Sequence, residues 1–334
     1  MVSMRIVIAL GGNALLARGD KPDAAIQLAN LRTAAEAIAP LAAHHDVLIC
    51  HGNGPQVGML SLESETDHAL TRPYPLDDLV AQTQGMIGYW LAQALCNAGV
   101  KKPTLGLITQ TLVDAADPAF ATPTKFVGPV YRRDQAQLLA HRHGWTIAAD
   151  NGRWRRAVAS PEPLRIVEQD SITALLDAGS VVICGGGGGA AVTENIAGQL
   201  SGVDAVVDKD YVASLLGIVL GAQHLLVLTD VSAVMEHYGT PEATPLTTLD
   251  PDQLGSMGFP AGTMGPKIEA CRRFVTATGH PATIGALADA QALLAATAGT
   301  TITPTTPPHR GTHQGVGGRR RPNNARTRGP GTGG

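Results

Sequence analysis

The sequence predicts an α/β fold with a mostly parallel sheet that carries helices on both faces. Short, continuous apolar runs, such as residues 4–10 (MRIVIAL) and 224–229 (HLLVLT), are typical of strands buried on both faces. Helical patterns of about 10–20 residues separate most of these runs, as the crossover connections between parallel strands require. Together the two patterns favour a doubly covered parallel sheet over an all-α or all-β fold.

The individual elements follow from these patterns in chain order. Continuous apolar runs predict strands at residues 4–10, 46–50, 104–109, 145–149, 180–184, 224–229 and 282–285. Apolar residues at helical spacing predict helices at residues 23–44, 56–68, 78–98, 133–142, 168–178, 208–220, 266–278 and 287–297. Residues 110–131 and 152–164 break the alternation with Pro, Gly, Arg and aromatic residues at hairpin-like spacing. We expect a small lobe over the sheet, spanning about residues 110–164.

Composition argues against several classes of protein. The 334 residues are 44% apolar and carry a formal charge of −3, which supports neither a disordered chain nor a nucleic-acid-binding protein. No run reaches the roughly 18 apolar residues of a membrane helix, and no secretory segment is evident, so we expect a cytoplasmic protein without a membrane partner. The four cysteines and 11 histidines show no spacing typical of a disulfide scaffold or a zinc site.

The last residues differ from the rest of the chain. Residues 304–334 hold six Arg, eight Gly and five Pro with no acid, whereas residues 1–303 carry a net charge of −9. A segment of this composition buries too little apolar area to offset the entropy of ordering it. We therefore expect one domain over residues 1–303 and a disordered basic tail over residues 304–334, either an incidental extension or an arm for anionic partners.

Glycine-rich turns follow three of the predicted strands. These turns are Gly11-Gly12-Asn13, Gly52-Asn53-Gly54 and the five glycines of residues 185–189. Turns at the carboxyl edge of a parallel sheet direct backbone N–H groups and helix N-termini towards bound anions. Glycine in one tight turn is explained by steric need alone. Its recurrence after three strands favours a site for phosphate or another polyanion.

Two nucleotide-binding motifs bear on this site. The chain has no P-loop pattern G-x-x-x-x-G-K-[ST]. Gly185, Gly187 and Ala190 fit the loose dinucleotide fingerprint, with Asp204 and Asp208 downstream. A nicotinamide-dependent oxidoreductase is therefore an alternative hypothesis.

Lysine usage points to phosphoryl transfer. The chain has 19 Arg and only six Lys, and three of the lysines lie in distinctive motifs: Lys125, Lys209 and Lys267. A lysine ammonium is a compact charge that can follow a moving phosphoryl group, and phosphoryl transfer depends mainly on positioning and charge neutralisation. Each lysine alone could equally form an ordinary surface ion pair. As a set, with the glycine turns, they favour a phosphotransferase.

Longer motifs carry a family resemblance. These motifs are residues 9–14 (ALGGNA), 51–58 (HGNGPQVG), 82–90 (QTQGMIGYW), 123–129 (PTKFVGP), 160–163 (SPEP), 184–188 (CGGGG), 202–210 (GVDAVVDKD), 228–231 (LTDV) and 262–270 (GTMGPKIEA). In this order, over about residues 4–302, the chain resembles the carbamate kinase family of the amino acid kinase superfamily. The resemblance implies a homodimeric, open three-layer αβα sandwich that exchanges phosphate between ATP and carbamate. It also implies Mg²⁺ that is carried by ATP or ADP and not by a protein metal site. In the cell, the implied use is to make ATP from carbamoyl phosphate.

The resemblance implies roles for matching residues. Lys209 and Lys267 would neutralise the nucleotide phosphates, Asp210 would hold these lysines, and Lys125 would reach carbamoyl phosphate from the lobe. The binding residues would be Gly11, Gly12 and Asn13 for the transferring phosphoryl group, Gly52, Asn53 and Gly54 for carbamate, and Gly185, Gly186, Thr229, Asp230, Val231, Gly262 and Met264 for the nucleotide.

The sequence departs from the family pattern at three places. It has one residue fewer near Trp154, it reads Gly-Ala-Ala-Val over residues 189–192, and it carries the basic tail. None of these departures removes a residue with an implied chemical role. Two other functions stay open besides the oxidoreductase: an amino acid kinase acting on a different small acid, and a silent nucleotide-binding subunit. Retention of the three lysines and Asp210 argues against the silent subunit.

Overall fold

The structure is a computed structural model that describes residues 3–17, 19–150, 152–257 and 264–304. The strands are β1 (Arg5–Leu10), β2 (Asp46–His51), β3 (Thr104–Gly106), β4 (Gln110–Leu112), β5 (Lys125–Tyr131), β6 (Thr146–Asp150), β7 (Arg153–Val158), β8 (Arg165–Ile166), β9 (Val181–Ile183), β10 (Ala190–Glu194), β11 (Leu200–Gly202), β12 (His224–Thr229), β13 (Met235–Glu236), β14 (Thr244–Pro245), β15 (Thr248–Leu249), β16 (Ala282–Ala286) and β17 (Thr300–Ile302). The α-helices are α1 (Ala24–His44), α2 (Gly54–Thr66), α3 (Leu76–Asn97), α4 (Arg133–His143), α5 (Gln169–Asp177), α6 (Lys209–Val219), α7 (Pro251–Ser256), α8 (Met264–Thr278) and α9 (Ala290–Leu294). Short 3₁₀ turns lie at Gly12–Ala14, Pro118–Phe120, Gly186–Gly188 and Leu287–Asp289.

A mostly parallel sheet forms the centre of the molecule. In the described part of the chain it has eight strands in the order β15-β17-β16-β12-β1-β2-β9-β3. Strands β16, β12, β1, β2, β9 and β3 pair in parallel, and β17 runs antiparallel to β16. The sheet confirms the predicted fold class.

Helices cover both faces of this sheet, because successive strand residues point to opposite sides. Ile6 and Ile8 of β1 pack with α1, α3 and α9 in one apolar layer. Val7 and Ala9 pack with α5, α6 and α8 in the other. The result is a three-layer αβα sandwich whose central strands are fully buried.

A second, antiparallel sheet lies beside the sandwich and has the order β5-β7-β6. This small sheet packs on α2 and α3 through a cluster that includes Val57, Leu79, Val127 and Val158. Residues 145–149 were predicted alongside the parallel strands, and that placement is wrong. Their strand, β6, is partly exposed along its length and pairs with β7 of the small sheet.

The predicted lobe, residues 110–164, includes parts of two sheets. Residues 125–158 contain the small sheet and α4. Strand β4, at the start of the range, instead belongs to a four-stranded sheet with the order β11-β10-β4-β8. The lobe boundaries and the single domain over residues 1–303 stay predictions.

Two further expectations concern membranes and the tail. Over the residues with described positions, no helix has the length and apolar character needed to span a membrane. The predicted disordered tail lies, from residue 305 onwards, outside the described residues.

Candidate active site

The candidate site lies at the carboxyl edge of four adjacent parallel strands, β12, β1, β2 and β9. Parallel pairing brings the ends of these strands to one edge, and short hydrogen bonds fix the turns that follow them. The Gly11 N–H donates to the Leu228 carbonyl at 2.9 Å, and the Gly52 N–H donates to the Leu10 carbonyl at 3.0 Å. The three glycine turns predicted from the sequence therefore lie side by side.

The first two turns approach each other so closely that only glycine fits at position 52. A Cβ on Gly52 would lie 2.8 Å from the Gly12 nitrogen and 2.9 Å from its Cα, well inside ordinary contact. The same Cβ would lie 3.5 Å from Cε of Lys209. The turns after β1 and β2 thus meet beside the Lys209 side chain.

Asp210 lies between two buried lysines. Its Oδ1 accepts a hydrogen bond from Nζ of Lys209 at 2.6 Å, and its Oδ2 accepts one from Nζ of Lys267 at 3.0 Å. The Asp210 side chain is 5% exposed, and the two lysine side chains are 11% and 12% exposed. Lys209 and Asp210 open α6, and Lys267 lies in the first turn of α8.

Electrostatics favour the charged forms of Asp210 and Lys267, whereas burial lowers the pKa of Lys209 despite the attraction of Asp210. Burial alone would raise the pKa of Asp210, but the two ammonium groups outweigh it and hold this pKa well below its usual range. Burial alone would lower the pKa of Lys267, but the attraction and hydrogen bond of Asp210 raise it instead. One carboxylate between two ammonium groups leaves a net positive charge, which is suited to binding an anion.

Lys125 joins this cluster through Asp208. Its Nζ donates to Oδ2 of Asp208 at 2.7 Å, while Oδ1 of Asp208 accepts from the Asp210 N–H at 2.9 Å. The sequence predicted Lys125 but missed its partner. The available signal was an aspartate at the first position of a predicted helix, because aspartate is a favoured N-cap.

The turn after β12 is linked to the turn after β1. Nδ2 of Asn13 donates to Oδ2 of Asp230 at 2.7 Å, and Oγ1 of Thr229 donates to Oδ1 of Asp230 at 3.1 Å. Val231 follows on this turn and is partly exposed, as is Met264 at the start of α8. Of the predicted nucleotide-binding residues, Gly262 lies outside the described residues.

Asn53 and Gly54 open α2 on the other side of the site. Asn53 is buried, and its Nδ2 donates to Oγ1 of Thr83 in α3 at 2.9 Å. Gly54 is exposed, and no atom lies within 4 Å of the position of a Cβ there. The buried Asn53 therefore ties the start of α2 to α3, while Gly54 leaves open space at the helix N-terminus.

The third glycine turn is enclosed by protein. Gly185 and Gly186 are buried, and the Gly185 N–H donates to Oγ1 of Thr109 at 2.9 Å. Val212 and Cys50 occupy the side-chain position of Gly185, and His51 occupies that of Gly186. This packing requires glycine in its own right, so the nucleotide contact of these two residues stays a prediction.

His51, at the end of β2 beside the second glycine turn, is a buried polar residue outside the predicted set of site residues. Its Nδ1 donates to the Gly52 carbonyl at 3.0 Å, which requires the neutral ring to carry its proton on Nδ1. Burial lowers the pKa of His51 to about 4. The ring is therefore neutral at pH 7 and holds the turn that faces Gly12.

Comparison with known proteins agrees with this geometry. The sequence model of the amino acid kinase family matches residues 4–286, which is most of the chain. The chain belongs to the amino acid kinase family.

Several relatives at more than 40% identity are carbamate kinases. The carbamate kinase of Rhizobium meliloti is 49% identical over 302 residues, covering 90% of this chain and 93% of that protein. The carbamate kinase of Escherichia coli K12 is 44% identical, covering 89% of this chain and 98% of that protein. Among solved structures, carbamate kinase from Giardia lamblia bound to AMP-PNP superposes with a TM-score of 0.84 at 37% identity, covering 91% of this chain and 99% of that one.

Family membership favours phosphoryl transfer over the oxidoreductase alternative. The dinucleotide fingerprint at Gly185, Gly187 and Ala190 falls on the enclosed turn, where Asn53 fills the side-chain position of Gly187. The glycines are thus accounted for by packing. The net positive charge of the lysine cluster suits phosphoryl transfer.

Proposed function

We propose that this protein is a carbamate kinase, which transfers a phosphoryl group reversibly between ATP and carbamate and is used to make ATP from carbamoyl phosphate. The observation that carries the proposal is Asp210 holding Lys209 and Lys267, both buried, beside the Gly11-Gly12 and Gly52 turns. The carbamate kinases at 44–49% identity support carbamate as the acceptor. The Giardia enzyme with AMP-PNP supports a nucleotide as the partner substrate.

The chemistry requires little beyond positioning and charge. Carbamate is already an anion, so its oxygen attacks the γ-phosphorus without a general base, and the bond from that phosphorus to the ADP oxygen breaks. Two anions must approach each other, and Lys209 and Lys267 offset their repulsion. The turn residues Gly11, Gly12 and Asn13 are proposed to hold the transferring group through backbone N–H groups. Asp210 keeps both lysines in place while the phosphoryl group is transferred between ATP and carbamate.

The remaining substrate contacts follow the family assignment. We propose that Gly52, Asn53 and Gly54 bind carbamate at the N-terminus of α2, where the helix dipole favours an anion. Lys125 is proposed to reach the same substrate from the small sheet. Nucleotide contacts are proposed for Thr229, Asp230, Val231 and Met264, together with Gly185, Gly186 and Gly262.

Magnesium fits this site as an ion that arrives on the nucleotide. In the described ranges, no group of three or more His, Cys, Asp or Glu is arranged to hold a metal ion. The carboxylates of Asp208 and Asp210 are already bound by lysines. We therefore propose that the phosphate oxygens hold Mg²⁺, as is common for this ion. When bound, it supplies further neutralisation of phosphate charge.

A coupled assay tests the function directly. Purified protein is given ADP, Mg²⁺ and carbamoyl phosphate, and ATP formation is followed. We expect rapid ATP formation with carbamoyl phosphate and much slower formation with acetyl phosphate. Folded protein that uses acetyl phosphate but not carbamoyl phosphate would instead be an amino acid kinase for a different small acid.

Two finer points rest on the family resemblance. We propose that the protein is a homodimer and that it works in the cytoplasm. Light scattering coupled to size-exclusion chromatography distinguishes a dimer from the 34.5 kDa monomer.

A further inference from the structure

A short segment beside the site connects β11 to α6 and contacts the small sheet. This docking strip, residues 204–208, alternates between two environments. Ala205 and Val207 are buried in the main core. Residues 204, 206 and 208 each contact the end of the small sheet that faces the site: Asp204 with Arg156 at 2.6 Å, Val206 with the Ala159 carbonyl at 3.0 Å, and Asp208 with Lys125 at 2.7 Å.

Asp208 is the last residue of the strip and the N-cap of α6. Its Oδ1 accepts from the Asp210 N–H at 2.9 Å, and its Oδ2 accepts from Nζ of Lys125 at 2.7 Å. The two oxygens therefore bind two different parts of the molecule. Since Lys209 is the next residue, the position of Lys125 is fixed relative to the helix that carries Lys209 and Asp210.

The Lys125 side chain is more exposed than those of Lys209 and Lys267, so ordering it costs more conformational entropy. Its side chain is 38% exposed, and it begins β5, whose sheet packs on α2 and α3 through a small apolar cluster. Ordering a long lysine side chain costs conformational entropy. The bond to Asp208 supplies that ordering before substrate binds. An ammonium group has three N–H donors, so two remain for phosphate oxygens.

We propose that Asp208 is a positioning residue that holds Lys125 at the N-terminus of α6, ready for the phosphoryl group of carbamoyl phosphate. The inference deepens the proposed function and rests on it. Asp208 does not contact the substrate in this role: its carboxylate would repel the phosphoryl oxygens, and it binds Lys125 and the Asp210 N–H. Its loss affects carbamoyl phosphate through Lys125 and leaves ADP recognition intact.

The test is Asp208→Asn, because asparagine caps helices as well as aspartate does but lacks the charge that holds Lys125. We expect KM for carbamoyl phosphate to rise about tenfold, the scale of one lost charge-assisted hydrogen bond, with KM for ADP within about twofold of the wild type. Lys125→Ala should then have little further effect on this KM in the Asp208→Asn background. Asp208→Ser, a second uncharged cap, should behave alike if the first variant folds poorly.

A matched control is Asp177→Asn, which removes an ion pair of similar length, 2.6 Å to Arg5, from outside the site. It should leave both KM values unchanged. An unchanged KM for carbamoyl phosphate in Asp208→Asn would overturn the proposal. So would an equal rise in both KM values, because that result indicates damage to α6 as a whole.

Hydrogen exchange separates this inference from the proposed function. If the wild type makes no ATP from carbamoyl phosphate, the proposed function fails, and the amides of β5 in the ligand-free protein decide the positioning role. If these amides exchange about tenfold faster in Asp208→Asn than in the wild type, the positioning role of Asp208 is supported. Equal exchange in the two proteins overturns it.

Discussion

The charge balance at Asp210 leads to the first prediction. Lys209→Ala and Lys267→Ala each remove one of the two ammonium groups proposed to neutralise the phosphates, and each leaves Asp210 with one lysine partner. We expect kcat for ATP formation to fall about 10²-fold or more in each variant, as for the loss of one preorganised contact to the transition state. Initial rates at saturating ADP and carbamoyl phosphate measure this.

Lys102→Ala is the matched control for these two variants. Lys102 also binds locally, with its Nζ 2.7 Å from the His45 carbonyl and 3.6 Å from Asp46, at the opposite end of β2 from the site. Its kcat should equal that of the wild type. Near-normal turnover in both Lys209→Ala and Lys267→Ala would show that charge neutralisation is not their role.

Sequence motifs indicated the chemical groups of this site but not their pairing. The rarity of lysine singled out Lys125, Lys209 and Lys267, and position after a strand singled out the glycine turns. The partner of Lys125 lies 83 residues away in sequence, so only the folded chain brings the two together. Nor could the sequence distinguish glycines that face an open site from Gly185 and Gly186, which are enclosed by side chains from three other elements.

The contact between the turns after β1 and β2 leads to a prediction about Gly52. In Gly52→Ala the new methyl group would lie 2.8 Å from the Gly12 nitrogen, and both atoms next to it are backbone. Neither turn can yield by a side-chain rotation, so the turns must separate. We expect activity to fall at least tenfold while the protein stays folded, with enzyme rates and thermal unfolding as the measurements.

Gly85→Ala is the appropriate comparison, because Gly85 lies inside α3 and its nearest neighbour would be 3.9 Å from the new methyl group. Alanine at a helical position that can accept it should keep or raise stability. If Gly52→Ala were as active as Gly85→Ala, the close approach of the two turns would have no catalytic importance.

Strands buried on both faces were predicted more accurately from the sequence than short or exposed ones. Strands β1, β2, β12 and β16 were predicted nearly to the residue, because strands covered on both faces are apolar without interruption. Strands such as β8 and β13 have two residues each, of which at least one is exposed or half-exposed, and no apolar run marks them. Residues 145–149 gave a correct strand in the wrong sheet, since the partner of a strand is decided by tertiary contacts.

The end of helix α9 was also not predicted by the sequence pattern. A helix was predicted over residues 287–297, and the structure has a 3₁₀ turn at Leu287–Asp289 followed by α9 at Ala290–Leu294. Alanine and leucine favour helix over most of this stretch. The packing of Leu293 against the sheet keeps α9 in place, but periodicity alone did not fix where it ends.

The stability of the entire fold should depend on pH through its buried histidines, and His224 gives the cleanest case. It lies at the start of β12, at the opposite edge of the sheet from the site, and its Nε2 is 3.0 Å from Oγ1 of Thr283. Burial lowers its pKa to about 4, whereas in the unfolded chain the value is about 6.5. Between these values the unfolded state binds a proton that the folded state does not. The contribution of neutral His224 to stability is therefore complete above about pH 6.5 and is lost as pH falls towards 4.

From pH 7.5 to 4.5 we expect a loss of about 2–3 kcal/mol of folding stability from His224. His224→Gln keeps a polar partner for Thr283 but cannot titrate, so other acidic and basic groups cancel when the two proteins are compared. Urea unfolding at both pH values should show a decrease smaller by about 2–3 kcal/mol in the variant. Equal decreases in the two proteins would mean that His224 is protonated in the folded state, against its burial in the sheet.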